Sequence, residues 1–285
     1  MTQTHTITID IAGFVTHVHT VSSAFAERVR TRYADFLGPA AATADMDIDV
    51  TLVEGALYIE PAPGPWIIET EITPERLTFL SYREKGEVDL LARRGQIEMA
   101  PDAHLENYLR VIYAWLCVQN DALLLHSAGV VRDGWGYVFF GPSGAGKTTT
   151  SRLASRQGTV LSDDLVILRR DGDGYRLYGV PFKGELSEAP RANQTAPLRA
   201  VFRLRQGRRH AVSSLPPMTA TAEMVGAAPF VVREPQLGRQ LISVCNEIAS
   251  SVPVLNLHFR RDDGFWKVID EYFAAVPETA STNGR

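Results

Sequence analysis

Gly141-Pro142-Ser143-Gly144-Ala145-Gly146-Lys147-Thr148-Thr149-Thr150 is the stretch on which the reading of this chain turns. It fits G-x-x-x-x-G-K-[ST] and follows an apolar run, Gly136-Tyr137-Val138-Phe139-Phe140, with the composition of a buried strand. The glycines keep side chains away so that backbone N–H groups from Gly141 to Thr149 can turn toward a phosphate, and Lys147 brings charge to the β and γ oxygens. Thr148 is the expected Mg²⁺ ligand. A helix-compatible segment, Lys147 to Arg156, starts where an anion needs a helix N-terminus. A glycine-rich turn that binds nothing is the alternative.

The flanks narrow the choice. Upstream, Leu123-Leu124-Leu125-His126-Ser127-Ala128-Gly129-Val130-Val131 reads as a strand that turns at Arg132–Gly136 and enters the loop strand as a hairpin. Downstream, Thr159 to Leu168 reads as one strand carrying Asp163 and Asp164 in its middle. Adjacent strand residues point to opposite faces. One carboxylate can therefore face the phosphates while its neighbour reaches the other side or turns at a break.

Leu-His-Ser-Ala, then Gly-Pro-Ser-Gly-Ala-Gly-Lys-Thr-Thr, then Ser-Asp-Asp, over Ala122 to Arg170, resembles the HPr kinase/phosphorylase and phosphoenolpyruvate carboxykinase superfamily. A looser likeness through Val180–Leu186 and Ala196–Phe202 is similar to the small HPr-kinase-like serine kinases found beside peptide-modifying enzymes. The resemblance implies an α/β P-loop kinase core, ATP and Mg²⁺ as cofactors, and a serine of a peptide or protein as acceptor. It implies Asp163 as general base, Asp164 with Thr148 as the Mg²⁺ ligands, His126 near the phosphates, and Lys147 as the catalytic cation. Lys183 falls where the family places acceptor contacts. For His126 a satisfied core histidine is the competing reading, because it follows three leucines. The segment Val180–Glu185 departs from that of true HPr kinases, which separates this chain from them at the acceptor. A small-molecule hydroxyl kinase and a non-catalytic nucleotide-dependent peptide-binding module stay open.

An ABC-type signature and a GTPase Asn-Lys-x-Asp are both missing from the sequence. With 285 residues, 45% of them hydrophobic, the chain can bury a full core. A formal charge of −4 without long basic runs argues against nucleic acid as partner. No apolar run reaches membrane-spanning length and the first residues lack a signal pattern, so no membrane and a cytoplasmic location are expected. Self-association is left open. Cys117 and Cys245 read as reduced packing residues.

The chain divides into a β-rich N-terminal region (1–102), a kinase domain (103–276) and a disordered tail (277–285). Short strands are expected at Thr6–Ile11, Met46–Val53, Trp66–Thr70, Arg76–Tyr82, Val88–Arg93 and Gln96–Met99, with helices at Phe25–Leu37 and Ala103–Asn120. Beyond the double aspartate follow strands near Tyr175–Tyr178, Leu198–Leu204 and Val254–Arg260, and helices near Ala220–Val225, Gln236–Ser250 and Gly264–Ala275. His17-x-His19 has chelate spacing but no third ligand nearby in sequence, so an exposed polar strand face is the preferred reading. Arg203, Arg205, Arg208 and Arg209 read as a solvated strand end and turn. Trp66 and Trp135 read as packing or turn residues.

Overall fold

The structure is a computed structural model that describes residues 3–275 apart from positions 62, 64–66, 173 and 183–191. Lys183, Trp66 and the expected tail from 277 lie outside the described residues. Alternation of apolar and polar residues in the first hundred positions builds one seven-stranded sheet. Its strands are β1 (His5–Ile11), β2 (Phe14–Thr20), β3 (Met46–Leu52), β4 (Glu69–Ile72), β5 (Arg76–Leu80), β6 (Glu84–Asp89) and β7 (Arg94–Met99), in the order β1-β2-β3-β7-β6-β5-β4. β2 shows the pattern: Phe14, Thr16 and Val18 are buried, while His17 and His19 face outward. Ala12 and Gly13 both take positive φ, the two-residue turn whose twist suits a hairpin. α1 (Ser23–Arg32) crosses from β2 to its parallel neighbour β3 and buries Phe25, Ala26 and Val29.

α2 (Glu106–Gln119) joins this sheet to the rest, and 11 of its 14 residues are buried. A helix apolar on nearly every side must be packed on nearly every side. The Tyr108 hydroxyl donates to the Glu87 carbonyl, and the Tyr113 hydroxyl donates to the Phe14 carbonyl while accepting from Thr16 Oγ1. One apolar cluster consequently runs from Ile7 of β1 through Leu109 and Ile112 to Ile167 and Val254 of the second half.

The second sheet contains β8 (Leu123–Arg132), β9 (Trp135–Phe140), β10 (Thr159–Ser162), β11 (Leu165–Asp171), β12 (Gly174–Tyr178), β13 (Thr195–Gln206), β14 (Ala211–Ser214) and β15 (Val254–Phe259). β9, β13 and β15 run parallel side by side. The apolar run of β9 follows from having both faces covered. Tyr137 and Phe139 pack toward α3 (Lys147–Ala154) and α6 (Phe265–Ala275), whereas Val138 and Phe140 join the cluster with α4 (Pro217–Ala227) and α5 (Pro235–Ser251). Gly129 and Gly136 let Leu177 of β12 approach, since a Cβ at Gly136 would stand 2.9 Å from its Cβ.

Several boundaries move from their expected places for local reasons. The first helix begins at Ser23 because the Ser22 hydroxyl caps the Phe25 N–H, and it ends at Arg32 with a 3₁₀ turn, Ala34–Phe36, in place of its last turn. Of the expected strand Val88–Arg93, Val88 and Asp89 end β6 and residues 90–93 form the turn into β7. The Asp89 carboxylate accepts from the N–H groups of Leu91 and Ala92, and Arg93 takes φ 53°. Thr159–Leu168 is two strands with a register shift on β8. β14, an edge strand, had no sequence signal. Trp135 lies at the β8–β9 turn with the Arg199 guanidinium 4.8 Å over its ring, a packing role. Cys117 and Cys245 are free and buried, and burial pushes both thiols up, Cys245 to about 12. Among the described residues no helix is long and apolar enough to cross a membrane.

Candidate functional site

Parallel strands leave a crevice beyond their carboxyl ends, and here the ends of β9, β10, β13 and β15 open on one cavity of about 710 Å³. The glycine loop leaves β9 and turns directly into α3. Gly141, Gly144 and Gly146 have φ of 157°, 76° and 109°, conformations that side chains rarely tolerate. A Cβ on Gly146 would also fall 2.6 Å from the Phe259 ring of β15. The Lys147 ammonium folds back to donate to the Gly141 carbonyl at 3.1 Å, closing the loop on itself.

Ser143, Gly144, Gly146, Lys147, Thr148 and Thr149 line this cavity. Gly141 lines a second one on the far side of the loop, and Ala145 turns inward with its N–H donating to the Pro142 carbonyl. His126, Asp163 and Asp164 line the same cavity as the loop. Both aspartates sit in the break between β10 and β11, where the Ser162 hydroxyl accepts from the N–H groups of Asp164 and Leu165. The break, rather than strand alternation, brings both carboxylates to the same cavity. Asp163 is buried and Asp164 half-buried.

Asp164 is held from two sides. Its Oδ1 lies 3.2 Å from His126 Nε2 and its Oδ2 lies 3.1 Å from Arg110 Nη1. Burial alone would raise its pKa. The hydrogen bond from His126 and the charges of Arg110, His126 and Lys147 outweigh burial and hold the carboxyl below the usual carboxylate range. Arg110 in turn binds Glu106 one helical turn back, and Glu106 binds Arg32 at the end of α1. A chain of alternating charges therefore runs from the first sheet's helix to the cavity. His126 is not a core histidine: its side chain is 47% exposed.

Sequence reasoning missed Arg110, Gln206, Arg260 and Arg261. The last three follow from topology, because they end β13 and β15 beside the loop. Gln206 donates to the Gly144 carbonyl at 2.8 Å. Arg203 departs from the expected solvated group. Its side chain is largely buried and paired with Glu223 of α4 at 2.5 Å, while Arg208 and Arg209 are exposed. The second cavity, about 740 Å³, is lined by Arg203, Glu223 and Met218 and shares His126 and Ser143 with the first.

The fold and site define a mixed α/β protein in which a glycine-rich loop between a central strand and a helix shares one cavity with two carboxylates and a histidine. A family model described as "SynChlorMet cassette protein ScmC" matches residues 103–274, more than half of the chain, and the chain belongs to that family. Among solved structures, the Hpr(Ser) kinase/phosphatase from Coxiella burnetii aligns over 53% of this chain and 96% of its own, with 10% identity and a TM-score of 0.30. That overlap is too loose to transfer a fold or a residue's role. Among curated proteins no sequence matches.

Proposed function

We propose that the chain is an ATP- and Mg²⁺-dependent P-loop kinase that transfers the γ-phosphoryl group to a hydroxyl, a serine of a peptide or protein. One observation carries this reading. The glycine loop with Lys147 and the pair Asp163–Asp164 line a single cavity. A triphosphate fits the donor set, since a loop bent at three positive-φ glycines and a helix N-terminus supply N–H groups while Lys147, Arg260 and Arg261 supply charge. Thr148 and Asp164 are the oxygen ligands that suit Mg²⁺, which would neutralise charge on the β and γ oxygens.

The chain's own residues would then do the following. Lys147 holds the γ-phosphoryl in place. Asp163, buried in the same cavity, accepts the proton of the acceptor hydroxyl as the new O–P bond forms, the bond from the γ-phosphorus to the β-bridging oxygen breaks, and ADP leaves. His126 hydrogen-bonds a phosphoryl oxygen and orients Asp164. The second cavity shares His126 and Ser143 with the first, which supports it as the entry for the acceptor side chain.

Incubation with γ-labelled ATP and the other products of the cassette should move label onto a serine hydroxyl. Label on a small molecule alone would replace the acceptor class. ATP binding with neither hydrolysis nor transfer across a broad acceptor panel would overturn the kinase reading.

A further inference from the structure

The open face of the first sheet brings together three side chains that the kinase reading does not use. His17 and His19 are two positions apart on β2, so both rings leave the same face. β3 lies parallel beside it in a register that puts Asp47 directly opposite His17. Asp47 Oδ1 is 2.9 Å from His19 Nε2 and 3.4 Å from His17 Nδ1, and the ligand atoms of all three lie within 4.8 Å of one another. Donors about 2.0–2.1 Å from a tetrahedral ion stand roughly 3.3 Å apart, so this spacing already approaches that of a ligand set.

Two further features favour a metal over a plain ion-pair cluster. Thr6 Oγ1 lies 3.0 Å from His19 Nδ1, the outer partner that fixes a ligating imidazole's orientation and tautomer. The nearby arginines are engaged elsewhere, Arg94 donating to Asp49 through Nε and Nη2 and Arg93 pairing with Asp45.

We propose that His17, His19 and Asp47 form a binding site for a divalent transition-metal ion of the Zn²⁺ class, with a fourth position open to water or a partner's ligand. Two imidazoles and one carboxylate select such an ion over Mg²⁺, which prefers oxygen ligands alone. The site is independent of the glycine-loop cavity, so it stands whether or not the chain is a kinase.

Titrating the full chain with Zn²⁺ against a chromogenic chelator, in the presence of millimolar Mg²⁺, should show one equivalent bound. Replacing Zn²⁺ with Co²⁺ should give the intense visible bands of a low-coordinate nitrogen–oxygen site. His17→Ala, His19→Ala and Asp47→Asn should each lose at least about 100-fold in affinity, and Thr6→Val about tenfold, the low end of what outer partners cost. Lys147→Ala should leave Zn²⁺ affinity unchanged. Wild-type protein without Zn²⁺ uptake at micromolar metal, or with uptake undiminished in a folded His17→Ala/His19→Ala double variant, overturns the site. If the histidine variants fail to fold, Asp47→Asn decides the matter alone.

Discussion

In the second sheet, Lys147, Thr148, Asp163 and Asp164 arrive in two short stretches at the ends of strands that open on one cavity. In the first sheet, His17, His19 and Asp47 converge from two strands, with His19 and Asp47 28 positions apart in the chain. The former depends on loop geometry, since each strand ends where the next group is needed. The latter depends on register, and a shift of one residue between β2 and β3 would turn Asp47 to the other face. Chemistry carried by loops is readable as a motif, and chemistry carried by register is not.

If that contrast is sound, the largest effects on turnover should come from the loop half alone. Lys147→Ala should abolish transfer and remove the rise in melting temperature caused by millimolar ATP·Mg²⁺, because a ligand that binds only the folded state stabilises it. An unchanged ATP shift in the variant would separate the loop from nucleotide binding. Asp163→Asn should cost on the order of 10² to 10⁴ in turnover with ATP binding kept, since an amide of the same shape cannot take the acceptor's proton. Near-normal turnover would hand the base role to Asp164.

His126→Ala should cost less, about 10² in turnover, with little loss of stability because the ring is half-exposed. A destabilised protein with wild-type turnover would return it to a packing role. Glu106→Gln would test the division itself. Glu106 is buried between Arg32 and Arg110, and breaking a buried ion pair costs about 3–5 kcal/mol. Because Arg110 also braces Asp164, chemical unfolding and kinetics on the same protein should both change. A loss of stability with turnover intact would mean that the charge chain holds the halves together without serving the site.

The effect with least bearing on turnover belongs to the first sheet. Burial pushes Glu84 of β6 up to about 7, against partial relief from Asn107 and the His104 backbone. Folded protein then binds more protons than unfolded protein between roughly pH 4.5 and 7, so this group's contribution is fully present below that window and lost as pH rises through it. Glu84→Gln should therefore recover up to about 3 kcal/mol at pH 8 and nothing at pH 4. Urea unfolding at several pH values measures this. A difference from wild type that stays constant with pH would mean that ionisation of Glu84 is not the cause.

The sequence by itself determined the elements whose signal is local. The glycine loop, the β8–β9 hairpin with its Asp133-Gly134 turn, the amphipathic α5 and the strand–loop–helix order around Lys147 all follow from neighbouring residues. It also singled out Asp163, Asp164 and His126 as candidates. Only the tertiary structure decided how they meet. Both aspartates face one cavity because the strand breaks between Ser162 and Leu165, where the Ser162 hydroxyl competes with the sheet for backbone donors. Arg110 reaches Asp164 from a helix 54 positions earlier in the chain, Arg203 is buried by a helix that follows it, and Asp47 completes a histidine pair through parallel pairing. None of these leaves a trace in nearby sequence, because a contact between distant segments depends on the packing of everything that lies between them.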